Sequence, residues 1–331
     1  MIDITPRWGA IIGGILFHQW ADFSWVIVFF VLLGRWTAQL RPSIILMIAM
    51  PWALFTSAME WLFLVPLFPF WQPIFPLEQT YWIGFGVHLA SASMYPIFFG
   101  AATTGSRARR ASPHRPFALV WSSLATAGVL TLGIIAFFGS MDREIPWIGE
   151  NPSPDQTFLR QMAAHHTQGL IVAEVASQRA TKLHLRVVAK LMGASQKGDL
   201  MIFGQWWRSW FPGQLPAPSP EEHAAMPGML THDELAALQS IADADFDPLF
   251  VRLMTRHHLG AITMANKAIK DAEDPRVVLL AHAISHSQSG EIDLMKGVKG
   301  TRAVRNAVRS MFHTMEDNSR ISAHDGVDAP H

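Results

Sequence analysis

Cysteine is absent from all 331 residues. That excludes disulfides, thiolate zinc sites, cysteine nucleophiles and a haem attachment motif. Any soft-metal chemistry must therefore draw on the 16 methionines and 15 histidines. Charge is scarce too: 16% of residues are charged, and 26 basic residues balance 26 acidic ones. Such a balance does not mark a partner for nucleic acid. Half the residues are hydrophobic and the mean hydropathy is +0.20, too apolar for a typical soluble chain. Membrane spans are the expected reason, and the length suffices for two domains.

The apolar residues concentrate before residue 140, in four runs over about 8–34, 44–67, 81–100 and 117–138. Each approaches the roughly 20 residues that cross a bilayer as a helix. The first is too long for a cleavable signal peptide and lacks a basic lead. Arg35 and Arg41 follow the first run, and Arg107, Arg109, Arg110 and Arg115 precede the fourth, while the second loop has no basic residue. Basic loops stay in the cytoplasm. Four spans then leave both termini of a multi-pass cell-membrane protein outside, and the second half extracytoplasmic. Within the runs, His18, Asp22, Glu60 and His88 are rare ionisable groups, and His18 and Asp22 share a helix face. Such groups mark either an ion, metal or proton site or solvated interfacial positions.

The second half repeats itself. "QMAAHHTQGLIVA" at 161–173 returns as "LMTRHHLGAITMA" at 253–265. The offset is 92 (254 minus 162, 257 minus 165), and it also carries Gln196 and Asp199 onto Gln288 and Glu291. Each copy reads as a helix with a His pair followed by a helix with Gln-x-x-acid. Two tandem helical hairpins make a four-helix bundle. "NPSPDQ" at 151–156 starts the first helix, with Ser153 or Asp155 as its cap, and "THDEL" at 231–235 caps a short extra helix. The expected divisions are 1–145 for a four-span transmembrane domain, 150–300 for the bundle (repeats about 155–210 and 245–298), and 301–331 for a partly disordered tail.

Phe250, Met254, His257, Ala261, Met264 and Ala268 fall on one helical stripe, with His258 about 80° to one side. Phe158, Met162, His165, Gly169 and Val172 form the matching stripe, flanked by His166. Burying imidazoles without partners is costly, and neutral imidazole is the commonest metal ligand. Methionine beside them points to copper, because thioethers suit Cu(I) and not zinc, calcium or magnesium. On the last helix Glu291 and Met295 join the core stripe, and Glu291 can orient an imidazole. Asp199 and Phe203 hold the corresponding places. His282 and His286 point away from that stripe and read as surface residues or a separate peripheral site.

These residues resemble the bacterial domain-of-unknown-function 305 family. Its pattern is M-x-x-H-H-x-x-A-x-x-M-A, then Q-x-x-E-I-x-x-M, and the second copy here reads "MTRHHLGAITMA" and "QSGEIDLM". The linker "MPGMLTHDELAAL" is typical of it as well, and the likeness covers about 155–298. The resemblance implies a ferritin-like bundle, secreted or membrane-anchored, with copper binding through Met and His in some members. Carried over, the motif falls on Met254, His257, His258, Met264 and Met295, and on Met162, His165 and His166 in the first copy. Met226 and Met229 belong to the linker phrase, as ligands on a mobile loop. Val172, Asp199 and Phe203 depart from the pattern.

Three functions follow. The leading one is an anchored extracytoplasmic protein that sequesters or hands on copper, as Cu(I) or Cu(II). A metal-dependent oxidoreductase is the second, opposed by the few carboxylates for a di-iron centre. The third is a non-catalytic subunit of a membrane complex, with "FGQWWRSWF" at 203–211 as contact surface. Partners are the copper ion, the lipid bilayer and another subunit or a second copy.

Overall fold

The structure is a computed structural model that describes residues 8–37, 40–60, 81–97 and 114–298, with 302, 303, 305, 306 and 309. No strand occurs among them. They divide into two compact units, one up to Ala136 and one from Phe137 onward.

The first unit holds α1 (Trp8–Thr37), α2 (Pro42–Met59), α3 (Tyr81–Ser93) and most of α4 (His114–Ser140). Val26, Phe29, Ile45, Ala49, Ala53, Ala92 and Tyr95 pack together inside it. Among the described residues, three helices are long and apolar enough to cross a membrane: Trp20–Thr37, Pro42–Met59 and Ser122–Ser140. The third apolar run yields α3, only 13 residues. That is about 20 Å of helix, short of the ~30 Å hydrocarbon layer. A turn at Met94 interrupts it, and residues 98–100 lie outside those described. The helices turn large apolar side chains outward: Val31 is 76% exposed and Leu124 68%.

The second unit is built from four long helices: α5 (Ser153–Arg179), α6 (Leu183–Trp210), α9 (Asp243–Asp271) and α10 (Pro275–Met295). Three residues join α5 to α6 and three join α9 to α10, so each pair is a tight hairpin. α5 also packs on α9, and α6 on α10. Their buried faces form two apolar clusters. One gathers Val172, Met192, Phe246, Phe250, Met254 and Met295. The other gathers Phe158, Met162, Phe203, Trp207, Met226 and Met264. Each such side chain removed from water stabilises by about 1.5–3 kcal/mol.

Asp155 does not cap its own helix: the N-cap position of α5 is Pro152, with no side-chain cap. Its carboxylate instead accepts the backbone N–H groups of Glu273 (3.1 Å) and Asp274 (3.2 Å), where α10 begins. Asp247 on α9 does the same for Thr181 (2.8 Å) and Lys182 (3.1 Å), where α6 begins. Each hairpin thereby closes the turn of the other, and all three positions differ by 92 (247 minus 155, 273 minus 181, 274 minus 182).

Between the hairpins lie α7 (Pro220–Ala225) and α8 (His232–Ser240). α8 opens on a complete capping box, Thr231 with Glu234. The tryptophan-rich end of α6 is mostly packed within this unit. Phe203 and Trp207 enter the core, and Trp206 stacks on Trp210 at 4.9 Å. Trp210 donates to the Ile145 carbonyl and lies under the Arg276 guanidinium. The tail after 298 falls outside the described residues except for five positions, where Asn306 donates to Asp293.

Candidate metal centre

Helical spacing places one His pair on α5 and one on α9, and packing α5 against α9 buries all four rings completely. The His165 and His257 rings lie 3.9 Å apart between centroids, tilted by 39°. Gly169 makes room: a Cβ there would press on the Gln196 amide and sit 2.8 Å from His257 Cε1.

Each ring is tied at Nε2. His165 faces the Pro227 carbonyl (3.1 Å), and His257 the His165 carbonyl (3.2 Å). His166 faces Asp199 (3.0 Å), and His258 faces Glu291 (2.7 Å). A carbonyl only accepts, so Nε2 of His165 and His257 carries the hydrogen and Nδ1 is left as a bare lone pair. The same holds for His166 and His258 whenever the facing carboxyl is ionised. All four Nδ1 atoms are buried without a hydrogen-bond partner. So are Gln196 Oε1 and Nε2, Gln288 Oε1 and Glu291 Oε1. Buried polar atoms are otherwise satisfied almost everywhere in proteins. Apart from the Gln196 amide nitrogen, a donor, the orphaned oxygens and lone-pair nitrogens are acceptors that a cation relieves, and an imidazole tied to an oxygen through its other nitrogen is how metal-binding histidines are normally held.

Burial keeps His165, His257 and His258 neutral. It lowers His165 and His258 to about 3, with the neighbouring imidazoles adding to the effect, and it takes His257 well below its ordinary value. Burial also raises Glu291 to about 8, opposed by His166. Although close enough for an ion pair, His258 and Glu291 are thus a hydrogen-bonded pair of neutral groups. Among the described residues no three His, Asp or Glu donors converge on one point. A metal held here takes donors beyond carboxylate and imidazole, or a small ring rotation.

The methionines do not gather in one place. Met254 and Met295 lie in the first apolar cluster with Met192, and Met162 and Met264 in the second with Met226. Met264 borders a cleft lined by Phe158, Gln161 and Lys267, and Met295 one lined by His184, Asp247 and Thr255. Sharing a stripe on α9 therefore did not put Met254 and Met264 at the same spot, because the stripe runs the length of the helix.

The linker is clamped, contrary to the expected mobile loop. Gln168 both donates to the Leu230 carbonyl (2.9 Å) and accepts from its N–H (2.7 Å). Gly228, at φ +78°, lies against the backbone of α9, and a Cβ at Gly260 would press directly on Pro227. Met226 is buried and Met229 packs beside it. This loop supplies the carbonyl that holds His165, a role that no side-chain pattern reveals. Gln196 and Gln288 also belong to the site; their recurrence at the 92-residue offset was the available signal.

His286 is not a surface residue. It is 5% exposed, and His282 is half-buried. α10 buries more than one stripe, since Ser285, Gly290 and Leu294 are covered too. In the first unit Asp22, Glu60 and His88 come together from three elements, while the His18 side chain lies outside those described.

An all-helical unit with a buried imidazole cluster is the class of protein defined so far. Residues 155–299 match the family model described as "Domain of unknown function (DUF305)". The chain belongs to that family. Similar solved structures include CopM in the Cu(I)-bound form, at 31% identity over 43% of this chain and 92% of that one (TM-score 0.38). A DUF305 fragment from Deinococcus radiodurans is 30% identical over 46% of this chain and 97% of its own (TM-score 0.41). A secreted DUF305 protein from Streptomyces coelicolor is 26% identical over 44% and 94% (TM-score 0.40). Comparison with curated proteins found no match.

Proposed function

We propose that this protein is a membrane-anchored, extracytoplasmic copper-binding protein that sequesters or hands on the ion through a ferritin-like bundle of two tandem hairpins. The observation that carries the reading is the set of four buried imidazoles whose Nδ1 atoms have no hydrogen-bond partner, together with unpartnered atoms of Gln196, Gln288 and Glu291. Neutral imidazoles suit Cu(I) and Cu(II), and thioether donors favour Cu(I). His257 and His258, with Met254, Met264 and Met295, are assigned to the second hairpin. His165, His166 and Met162 are assigned to the first, and Asp199 and Glu291 orient the rings. CopM, similar over 92% of its length, is known in Cu(I)- and Cu(II)-bound forms, which supports the choice of metal.

Anchoring rests on α1, α2 and α4. Keeping both the Arg35–Arg41 and Arg107–Arg115 segments cytoplasmic requires the chain to return between α2 and α4. We assign that passage to the run containing α3. The helical unit then lies outside the cytoplasm. To test the function, the purified full-length protein is titrated with Cu(I) and Cu(II) against a variant with His165, His166, His257 and His258 all changed to Ala. Tighter binding by the natural protein is expected; equal binding refutes the proposal.

A further inference from the structure

The apolar helices of the first unit carry almost no ionisable groups, yet three of these meet. His88 on α3 is 5% exposed, and its two ring nitrogens face carboxylates on different elements. Nε2 lies 3.2 Å from Glu60, at the end of α2, and Nδ1 lies 3.7 Å from Asp22 on α1. Asp22 is itself buried. Trp25 on α1 donates to the other oxygen of Glu60 at 2.6 Å, which fixes that carboxyl. Buried Asp22 and His88, with half-buried Glu60, are costly among apolar helices, so their retention calls for a use.

The geometry disfavours a shared metal ion. The carboxylates address opposite nitrogens of one imidazole, so an ion on either side reaches, among the His, Asp and Glu side chains described, the ring and one carboxylate. It suits a proton instead, because an imidazole can accept on one nitrogen while it donates from the other.

We propose that Asp22, His88 and Glu60 form a proton-transfer site within the apolar helices, in which His88 hands a proton between the two carboxyl groups. Take Asp22 protonated, Glu60 ionised and His88 carrying its hydrogen on Nε2. Nδ1 takes the Asp22 proton as Nε2 gives its own to Glu60. One O–H bond breaks and another forms, one N–H bond forms and another breaks, and the negative charge passes from Glu60 to Asp22. The Glu60 contact is within direct hydrogen-bond reach. The Asp22 contact is about 0.5 Å too long, so a small swing of the ring completes each transfer. The site is independent of copper in the helical unit and rests only on the bilayer placement of these helices.

The test is an infrared pH titration of the full-length protein in lipid bilayers, in H₂O and D₂O. In the natural protein, and equally in His18→Gln, a buried protonated-carboxyl band is expected to titrate together with imidazole bands. Asp22→Asn or Glu60→Gln is expected to abolish that joint step, and His88→Gln to leave two carboxyl bands that titrate separately. Carboxyl bands unchanged by His88→Gln overturn the proposal. The natural protein decides even where variants misfold: a carboxyl titration with no accompanying imidazole change overturns it as well. Flotation of the same protein with liposomes reports bilayer placement separately, and copper titration reports the other unit.

Discussion

Gly260→Ala probes the link between the linker and the imidazoles most directly. A methyl group added at this position of α9 would lie 2.5 Å from the Pro227 carbonyl carbon and 2.7 Å from Gly228 Cα. The Pro227 oxygen lies closer still, and ordinary contact begins at 3.4 Å, so the loop must retreat by at least about 1 Å (3.4 minus 2.5). The His165 Nε2 to Pro227 oxygen distance, now 3.1 Å, then exceeds hydrogen-bond range. Overpacking costs about 1–3 kcal/mol, and a stranded buried donor about 1–3 more. The better helix propensity of alanine returns about 1. The net expectation is about 1–5 kcal/mol of lost stability, and loss of the oxygen that orients His165 lowers copper affinity by roughly 10–100-fold. Gly198→Ala on α6 is the control, since nothing lies within 4 Å of its added methyl; there the same propensity term stabilises by up to about 1 kcal/mol. Hydrogen exchange of α9 amides, with a Cu(I) competition titration, measures both effects. If Gly260→Ala exchanges and binds like Gly198→Ala, the clamp does not hold His165 and the reasoning fails.

Acid is expected to destabilise the metal-free helical unit. His165, His257 and His258 have lowered values, so between pH 6.5 and about 3 the unfolded rings take up protons that the folded ones refuse, and stability falls as pH falls. Glu291, raised by burial, acts oppositely between pH 4.5 and about 8. Three groups against one give at most about 3 kcal/mol per pH unit near pH 5.5, measurable by urea denaturation. Copper binding at pH 7 should release a proton from the His258–Glu291 pair, because a cation on Nδ1 makes Nε2–H the donor and ionises Glu291. Calorimetry in buffers of different ionisation enthalpy should show that release shrinking in Glu291→Gln. Phe203 occupies the place of Met295 in the first hairpin, 5.7 Å from the His166 ring. Phe203→Met should therefore raise Cu(I) retention in a competition assay while costing about 1–2 kcal/mol; unchanged retention argues against metal at His166. Asp247→Ala strands the Thr181 and Lys182 N–H groups, with an expected loss of about 2–3 kcal/mol in chemical denaturation.

Much of this protein was legible from one-dimensional pattern. The absence of cysteine together with paired histidines and methionines at helical spacing defined the donor chemistry. The offset of 92 marked the recurring helices and put His166 and Asp199 in the same relation as His258 and Glu291. Such features are local, because a helix converts spacing along the chain into a face. What lay beyond them was decided by packing between elements. A helical wheel has no length, so it merged Met254 and Met264, which the folded unit sends to different clusters. It considers one partner per helix, so it left His286 outside, where α10 is covered on further sides. Apolar composition does not measure helix length: within the third run the described residues form a 13-residue α3, followed by a turn at Met94. Backbone groups carry no residue identity, which is why the Pro227 carbonyl that holds His165 emerged only from the tertiary structure.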